Sequence, residues 1–168
     1  MGLVFISHAV NGSDVARISD ILLIGLRCEN GSTRAVSLDN VDRVTLRYLT
    51  AYDAALEDSV ILISYAAEVV VEDVAATGPG REMLSVFNAN EVTVRRFWGR
   101  WVESTATYSS VVSIAGCVGC TLENIIARSV TANIIGIAVA QADNTADDTA
   151  LLGSFASGMR NGDFLRQR

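Results

Sequence analysis

The chain contains no lysine, and its 13 basic residues are all arginine, against 19 acidic residues and a net charge of −6. The absence of lysine excludes enzymes that form a Schiff base or use a lysine as general base. The negative net charge disfavours a broad contact with a phosphate backbone, so no nucleic-acid partner is expected. His8 is the single histidine, which excludes a two-histidine metal site and leaves at most one imidazole for acid-base chemistry.

Other familiar features are also scarce. Three cysteines cannot pair completely, so a disulfide scaffold is not expected. No apolar run approaches the 18 or so residues of a membrane span. The first residues lack the basic region of a signal peptide. With half of its 168 residues hydrophobic, the sequence predicts one globular domain over residues 1–168.

An internal repeat organises this domain. The pattern apolar-x-apolar-x-x-apolar recurs with first positions 23, 25, 23, 28 and 30 residues apart. The repeats predict coils centred near 21–26, 44–49, 69–74, 92–97, 120–125 and 150–155, followed by a polar tail over 158–168. Such a period indicates stacked structural units, each too small to bury an apolar face alone.

Each unit reads as three short strands joined by three corners. The apolar spacing within a block is 2, and the slots hold valine, isoleucine, leucine and threonine, as in strands. The fold class predicted is all-β, a parallel β-helix of about five to six coils with 23–30 residues per coil. Leu46, Val71, Val94 and Leu122 are expected to form one buried stack, and Arg47, Glu72, Arg95 and Glu123 an exposed ladder of alternating charge.

The blocks carry a resemblance that is specific for fold. The segments "NVDRVTLR", "AAEVVVEDV" and "ANEVTVRRF" resemble coils of right-handed β-helix proteins of the pectate-lyase-like superfamily. The run over 25–128 is similar to uncharacterised β-helix repeat proteins that are usually exported. The resemblance implies an extracellular or cell-surface location. Because the sequence shows no polar cap at either end of the repeats, we expect either a fragment of a longer protein or a unit that associates end to end.

Three functions stay open on this basis. The first is a carbohydrate-binding or scaffold segment of a larger protein, with a polysaccharide or cell-surface glycan as partner. The second is a carbohydrate-active enzyme, either a polysaccharide lyase or a glycosidase. The motifs of polygalacturonase-like relatives are not intact, and the nearest match lies in the insertion at 144–148. No cofactor is expected, and calcium would enter only with a lyase. The third is a structural or adhesin shaft.

The long corners hold the candidate binding residues, because loops on a rigid solenoid carry function. Aromatic rings mixed with arginines and carboxylates suit a sugar or uronate ligand, since rings stack on pyranose faces and guanidinium groups hold carboxylates. The alternative is that the two tryptophans only cover a corner of the β-helix. The predicted cluster comprises Asp53, Glu57, Arg81, Glu82, Trp98, Arg100, Trp101 and Glu103.

Cys117 and Cys120 form a C-x-x-C sequence, which in another context would suggest a zinc or redox site. In the repeat they occupy slots filled by alanine and valine in the preceding coils. We therefore expect them to be inert, small core residues and expect no metal site.

Overall fold

The computed structural model describes residues 4–7, 17–31, 34–53, 58–79, 81–102, 110–129, 135–140, 149–152, 155–157 and 164–167. These residues form strands, turns and bends, without a helix. Consequently, no helix in the described part of the chain could cross a membrane. The strands are β1 (Val4–Ser7), β2 (Ile18–Ile24), β3 (Arg27–Gly31), β4 (Val36–Asp39), β5 (Val41–Arg47), β6 (Thr50–Asp53), β7 (Ile61–Ser64), β8 (Ala67–Gly78), β9 (Leu84–Phe87), β10 (Asn90–Trp101), β11 (Ser110–Ala115), β12 (Cys120–Glu123), β13 (Ile126–Ser129), β14 (Ile135–Ala140), β15 (Thr149–Leu152), β16 (Phe155–Ser157) and β17 (Phe164–Gln167).

The strands pair in parallel in two sheets. Sheet A has the order β1-β4-β7-β9-β11-β14-β17. Sheet B has two limbs. Neighbouring strands in the first limb are, in order, β2, β5, the first half of β8, the first half of β10, β12 and β15. Neighbouring strands in the second limb are β3, β6, the end of β8, the end of β10, β13 and β16. Successive strands along the chain thus visit sheet B twice and sheet A once per turn. The predicted all-β parallel solenoid is confirmed.

The interior consists of columns of like residues. Leu46 pairs with Val71, Val71 with Val94, and Val94 with Leu122. All four are buried, so the predicted stack is confirmed. The column formed by Leu49, Val74, Phe97 and Ile125 is buried beside it. Because the strand period is 2, every second residue of each strand joins such a column.

The inward column of the second limb is made of small residues. Cys28, Ala51, Ala76, Gly99 and Ala127 are register neighbours and are buried. A Cβ added at Gly99 would lie 2.5 Å from Val111 Cγ1. At this column the second limb therefore lies close to sheet A, and small side chains fill the space.

The corners place residues with positive φ at the same point of successive coils. One column contains Tyr48 (φ 53°), Asp73 (φ 54°), Arg96 (φ 51°) and Asn124 (φ 55°). Two further columns contain Asn40, Tyr65, Asn88 and Gly116, and Arg43, Glu68, Glu91 and Gly119. The left-handed conformation turns the chain sharply without extra residues, so each corner can follow the preceding one in register.

Two details of the predicted organisation need correction. The structure has about four turns, fewer than the five to six coils expected, and β15, β16 and β17 pair in parallel with β12, β13 and β14. Leu122 pairs with Leu151 and Ile126 with Phe155, whereas the coils predicted near 120–125 and 150–155 place Leu122 opposite Leu152. A spacing of 30 residues leaves the alignment free to slide by one position. Strand β17 lies within the expected polar tail and pairs with β14.

Candidate functional site

A groove of about 500 Å³ lies on the outer face of sheet A. Its floor comes from outward-facing residues of β7, β9 and β11, and one side is formed by residues that lead into these strands. The lining residues are Arg34, Asp58, Ser59, Leu62, Ser64, Tyr65, Arg81, Glu82, Ser85, Phe87, Ser113 and Ala115. The groove therefore spans three neighbouring coils, and at about 4.8 Å per coil it can accommodate an extended molecule.

The polar side of the groove is a column of the repeat. Arg34, Ser59 and Glu82 each lie two residues before Val36, Ile61 and Leu84, which are register partners. Backbone bonds extend this alignment, since Val60 N donates to Glu82 O at 2.8 Å and Arg81 N donates to Asp58 O at 2.8 Å. The stacking that builds the core thus also brings side chains from three coils together.

Glu82 is the buried carboxyl of this column. Ser59 Oγ donates to Glu82 Oε2 at 2.7 Å, and Arg81 Nε lies 3.2 Å from Glu82 Oε1. Burial raises the pKa of Glu82, although the Ser59 hydrogen bond and the Arg81 and Arg34 charges act in the opposite direction. Glu82 therefore keeps its proton to a higher pH than an exposed glutamate.

A second carboxyl in the groove has a different environment. Arg34 Nη2 donates to Asp58 Oδ1 at 2.8 Å, and both side chains are about one third exposed. The guanidinium fixes Asp58 at the rim, while Arg81 extends into solvent with 63% of its side chain exposed. The rim consequently offers one arginine already engaged by an aspartate and one that is accessible.

The other side of the groove is aromatic. The rings of Tyr65 and Phe87 pack edge to face, with centroids 6.0 Å apart and planes at 89°. Both residues remain exposed, at 52% and 39%. Next to Tyr65, Ser64 Oγ donates to Asp39 Oδ1 of the preceding coil at 2.5 Å. The groove thus combines aromatic surface, hydroxyls, carboxyls and arginines.

The structure separates the residues of the predicted cluster. Arg81 and Glu82 lie in the groove. Trp98 and Arg100 lie on the second limb of sheet B, and their register partners are Ile126 and Arg128. Trp98 is half-buried and Arg100 exposed. Trp101 is fully buried among core residues, so an exposed ring in this region can be supplied by Trp98 and not by Trp101.

The remaining predicted positions lie outside the described side chains. Glu57, Glu103 and His8 are outside the described residues, as is the insertion at 144–148. Asp53 belongs to β6, but its side chain is not described. The part of the cluster that depends on these residues stays a prediction.

The two cysteines of the C-x-x-C sequence differ from the expectation. Cys117 and Cys120 are buried, as expected for their slots. They are not separate core residues, because a disulfide joins them across a corner with Cα atoms 5.9 Å apart. Cys28 is a buried free cysteine. Among the described residues no group of three histidine, cysteine or carboxylate side chains could hold a metal ion.

The predicted charge ladder has the expected register. Arg47 pairs with Glu72, Glu72 with Arg95, and Arg95 with Glu123. Glu72 is nevertheless not exposed, because Arg47, Arg95 and Arg96 surround it and leave 8% of its side chain accessible. Hydrogen bonds from Arg96 and Arg47 lower the pKa of Glu72. The part of the ladder around Glu72 reads as structural, since Arg47, Arg95 and Arg96 all contact this carboxylate.

Sequence reasoning missed most of the groove, since only Arg81 and Glu82 of its lining were candidates. Arg34, Ser59, Tyr65 and Phe87 were not among the candidates, although Val36, Ile61 and Leu84 lie one repeat apart and can be aligned from the sequence. Extending that alignment by two residues upstream would have placed Arg34, Ser59 and Glu82 in one column. Only the shared position in the repeat could have identified this column, because an arginine, a serine and a glutamate have no side-chain chemistry in common.

No protein-family model matches the chain, and no curated protein matches it. The class of protein is thus defined by the fold itself, as a parallel β-solenoid.

Proposed function

We propose that this β-solenoid is a scaffold that binds a glycan chain in the groove on sheet A. The observation that carries the proposal is the groove itself, in which an exposed aromatic pair faces arginines and carboxyls across a floor of serines. Ligand sites combine apolar surface with a few placed polar groups. A sugar ring needs both, because its faces are apolar and its edges carry hydroxyls.

Each side of the groove has a role in this proposal. The rings of Tyr65 and Phe87 provide the apolar contact for a pyranose face. Ser85 and Ser113 on the floor offer hydroxyl groups, and Arg81 can bind a carboxylate of an acidic sugar. Because burial raises the pKa of Glu82, this carboxyl compensates the positive charge of Arg81 over a narrower pH range than an exposed glutamate would.

The test is a comparison of two tyrosines. Tyr65 and Tyr48 are both exposed, and both have positive φ, at 49° and 53°, but Tyr65 lines the groove and Tyr48 does not. Calorimetric titration with neutral and uronic-acid oligosaccharides should show binding that Tyr65→Ala weakens at least tenfold and Tyr48→Ala leaves unchanged. Absence of binding across the panel, or equal loss in both variants, would contradict the proposal.

A second candidate function rests on the two carboxyls. Glu82 is buried and its pKa is raised, whereas Asp58 is held by Arg34. Carboxyls in such different environments can divide the roles of acid and base in glycosidic cleavage. Release of reducing or unsaturated ends from a polysaccharide panel, abolished by Glu82→Gln and retained in Asp73→Asn, would establish an enzyme. Asp73 is a suitable control because it lies in the corner network with Arg96.

The location of the protein belongs to the same proposal. A glycan-binding solenoid would meet its ligand outside the cell or at its surface, and paired cysteines are typical of oxidising compartments. The Cys117–Cys120 disulfide supports this placement.

A further inference from the structure

Two arginines lie side by side on the outer face of the second limb. Arg100 of β10 and Arg128 of β13 are direct register partners, and both are exposed. Adjacent parallel strands are about 4.8 Å apart, so the two side chains start from neighbouring points of one surface. Like charges directly opposite each other in a sheet are unfavourable. This arrangement therefore requires an explanation that packing does not provide.

The other described arginines show how this fold treats positive charge. Each of the following has a carboxylate oxygen within 4 Å: Arg17, Arg27, Arg34, Arg43, Arg47, Arg81, Arg95 and Arg96. Among the described side chains, Arg100 and Arg128 have no such partner. In a chain with net charge −6, the exception is thus a local concentration of positive charge on one face.

An aromatic ring lies next to this pair. Trp98 precedes Arg100 by two residues on β10, so it lies on the same face at about 6.6 Å along the strand. Its register partner Ile126 is 37% exposed. The half-buried Trp98 and Ile126 form an apolar strip parallel to the two arginines. One surface thus offers both charge and apolar contact.

We propose that Arg100 and Arg128 together bind one sulfate or phosphate monoester group of a modified sugar, whose ring lies against Trp98. Two guanidinium groups from adjacent strands can approach a tetrahedral anion from two sides, and each can donate two hydrogen bonds. The ester balances the repulsion between the arginines. This surface is on sheet B and does not depend on the groove of sheet A.

The experiment uses the intrinsic fluorescence of the two tryptophans. Trp101 is fully buried and Trp98 is half-buried, so a ligand on this surface should change the emission of Trp98. A sulfated oligosaccharide and a phosphorylated one of the same backbone are titrated separately, with the unmodified oligosaccharide and inorganic sulfate and phosphate as references. We expect a modified sugar to bind at least tenfold more tightly than the unmodified sugar. The sulfated and phosphorylated arms then identify the preferred ester.

A matched pair of double variants tests the residues. Arg100→Gln with Arg128→Gln should weaken binding at least tenfold. Arg17→Gln with Arg27→Gln removes the same charge from arginines that have carboxylate partners, and it should leave the affinity within twofold. Melting temperatures verify that both proteins are folded. Tyr65→Ala should not affect this binding, which separates the result from that of the groove.

Three outcomes would overturn the proposal. The first is equal affinity for the modified and unmodified sugars. The second is equal loss of affinity in the two double variants, which would indicate long-range electrostatics. The third is tighter binding of a single-stranded oligonucleotide than of either ester, lost in Arg100→Gln with Arg128→Gln, which would indicate a phosphodiester surface.

Discussion

Residues with positive φ define the corners of this solenoid, and most of them are not glycine. In the described part of the chain, eleven non-glycine residues have φ between 47° and 61°. An L-residue in this region costs about 1–2 kcal/mol relative to the right-handed region. The corners accept this cost because the backbone is then paired from coil to coil, for example from Tyr48 N to Glu72 O at 3.1 Å.

Exchanging residues within one corner column should change stability in opposite directions. Glu91 (φ 53°) and Gly119 (φ 67°) occupy the same position in successive coils. Glu91→Gly should stabilise the protein and Gly119→Ala should destabilise it, each by about 1 kcal/mol, because glycine alone avoids the left-handed penalty. Urea denaturation provides the measurement. A neutral Gly119→Ala would mean that the coil relaxes its corner.

Glu82 predicts an unusual dependence of stability on pH. Its pKa is raised by burial, so the folded protein holds this proton where the unfolded chain, with a pKa near 4.3, has released it. This contribution to stability is complete below about pH 4 and is lost as the pH rises through the folded pKa. In Glu82→Gln the melting temperature should therefore decrease less than in the wild type as the pH is raised above about pH 4.

The control for this pH prediction is Glu72→Gln. The pKa of Glu72 is lowered by hydrogen bonds from Arg96 and Arg47. Its contribution has the opposite sign, since it is present above the unfolded pKa and lost as the pH falls. Replacement of Glu72 should thus lower stability at neutral pH and leave stability in acid nearly unchanged. Identical pH profiles for the two variants would refute the assignment of both shifts.

At the scale of strands, the second limb depends on small inward residues. Gly99 lies between Ala76 and Ala127 in that column, and a new Cβ there would lie 2.5 Å from Val111 Cγ1 of sheet A and 3.0 Å from Phe97 Cε1 of its own strand. The strand can accept a methyl group only if these neighbours shift.

Gly99→Ala should therefore destabilise the protein by about 1–3 kcal/mol through overpacking. The double variant Gly99→Ala with Val111→Ala should recover part of that loss, because it removes the Cγ1 atom in the way. Calorimetric melting of the two variants tests this coupling. Additive losses would show that the contact with Val111 is not the source of the strain.

Most of the strand pairing could be predicted from sequence, and the reason is physical. A parallel solenoid pairs each residue with its counterpart one repeat later, so an alignment of repeats is also a list of neighbours. This is how the stack of Leu46 and Val71 and the ladder of Arg47 and Glu72 were found. The burial of Glu72 was not predictable, because Arg96 reaches it from a left-handed corner that the pattern does not encode.

The groove and the disulfide depend on three-dimensional arrangements that the repeat does not determine. Arg34, Ser59 and Glu82 belong to one column but have unrelated side chains. Cys117 and Cys120 occupy two core slots of one corner, and their separation follows from the corner's shape. Period and polarity predict which residues face inward, but they do not predict which neighbours bond.

At the scale of the whole molecule, the state of the cysteines reports on the environment of folding. Protein purified from an oxidising compartment and denatured without reductant should expose one thiol per chain, from Cys28, and three after reduction. A thiol-reactive chromophore gives the count. Three thiols before reduction would contradict the pairing. Cys28→Ala should then give none before reduction and two after it.

The corner columns also determine where the chain can gain length. The stretches 40–48, 65–73, 88–96 and 116–124 run between corresponding left-handed positions and are equally long. The connections from the second limb to sheet A differ in length. They join register positions 50 and 61 in one coil, 75 and 84 in the next, and 98 and 112 in the one after that. Differences in coil length are thus confined to the connections between the second limb and sheet A, and the register of the paired strands is kept. A foreign peptide grafted into one of these connections would be displayed at a fixed position along the solenoid axis. Several such peptides would therefore stand in a fixed order and at a fixed spacing.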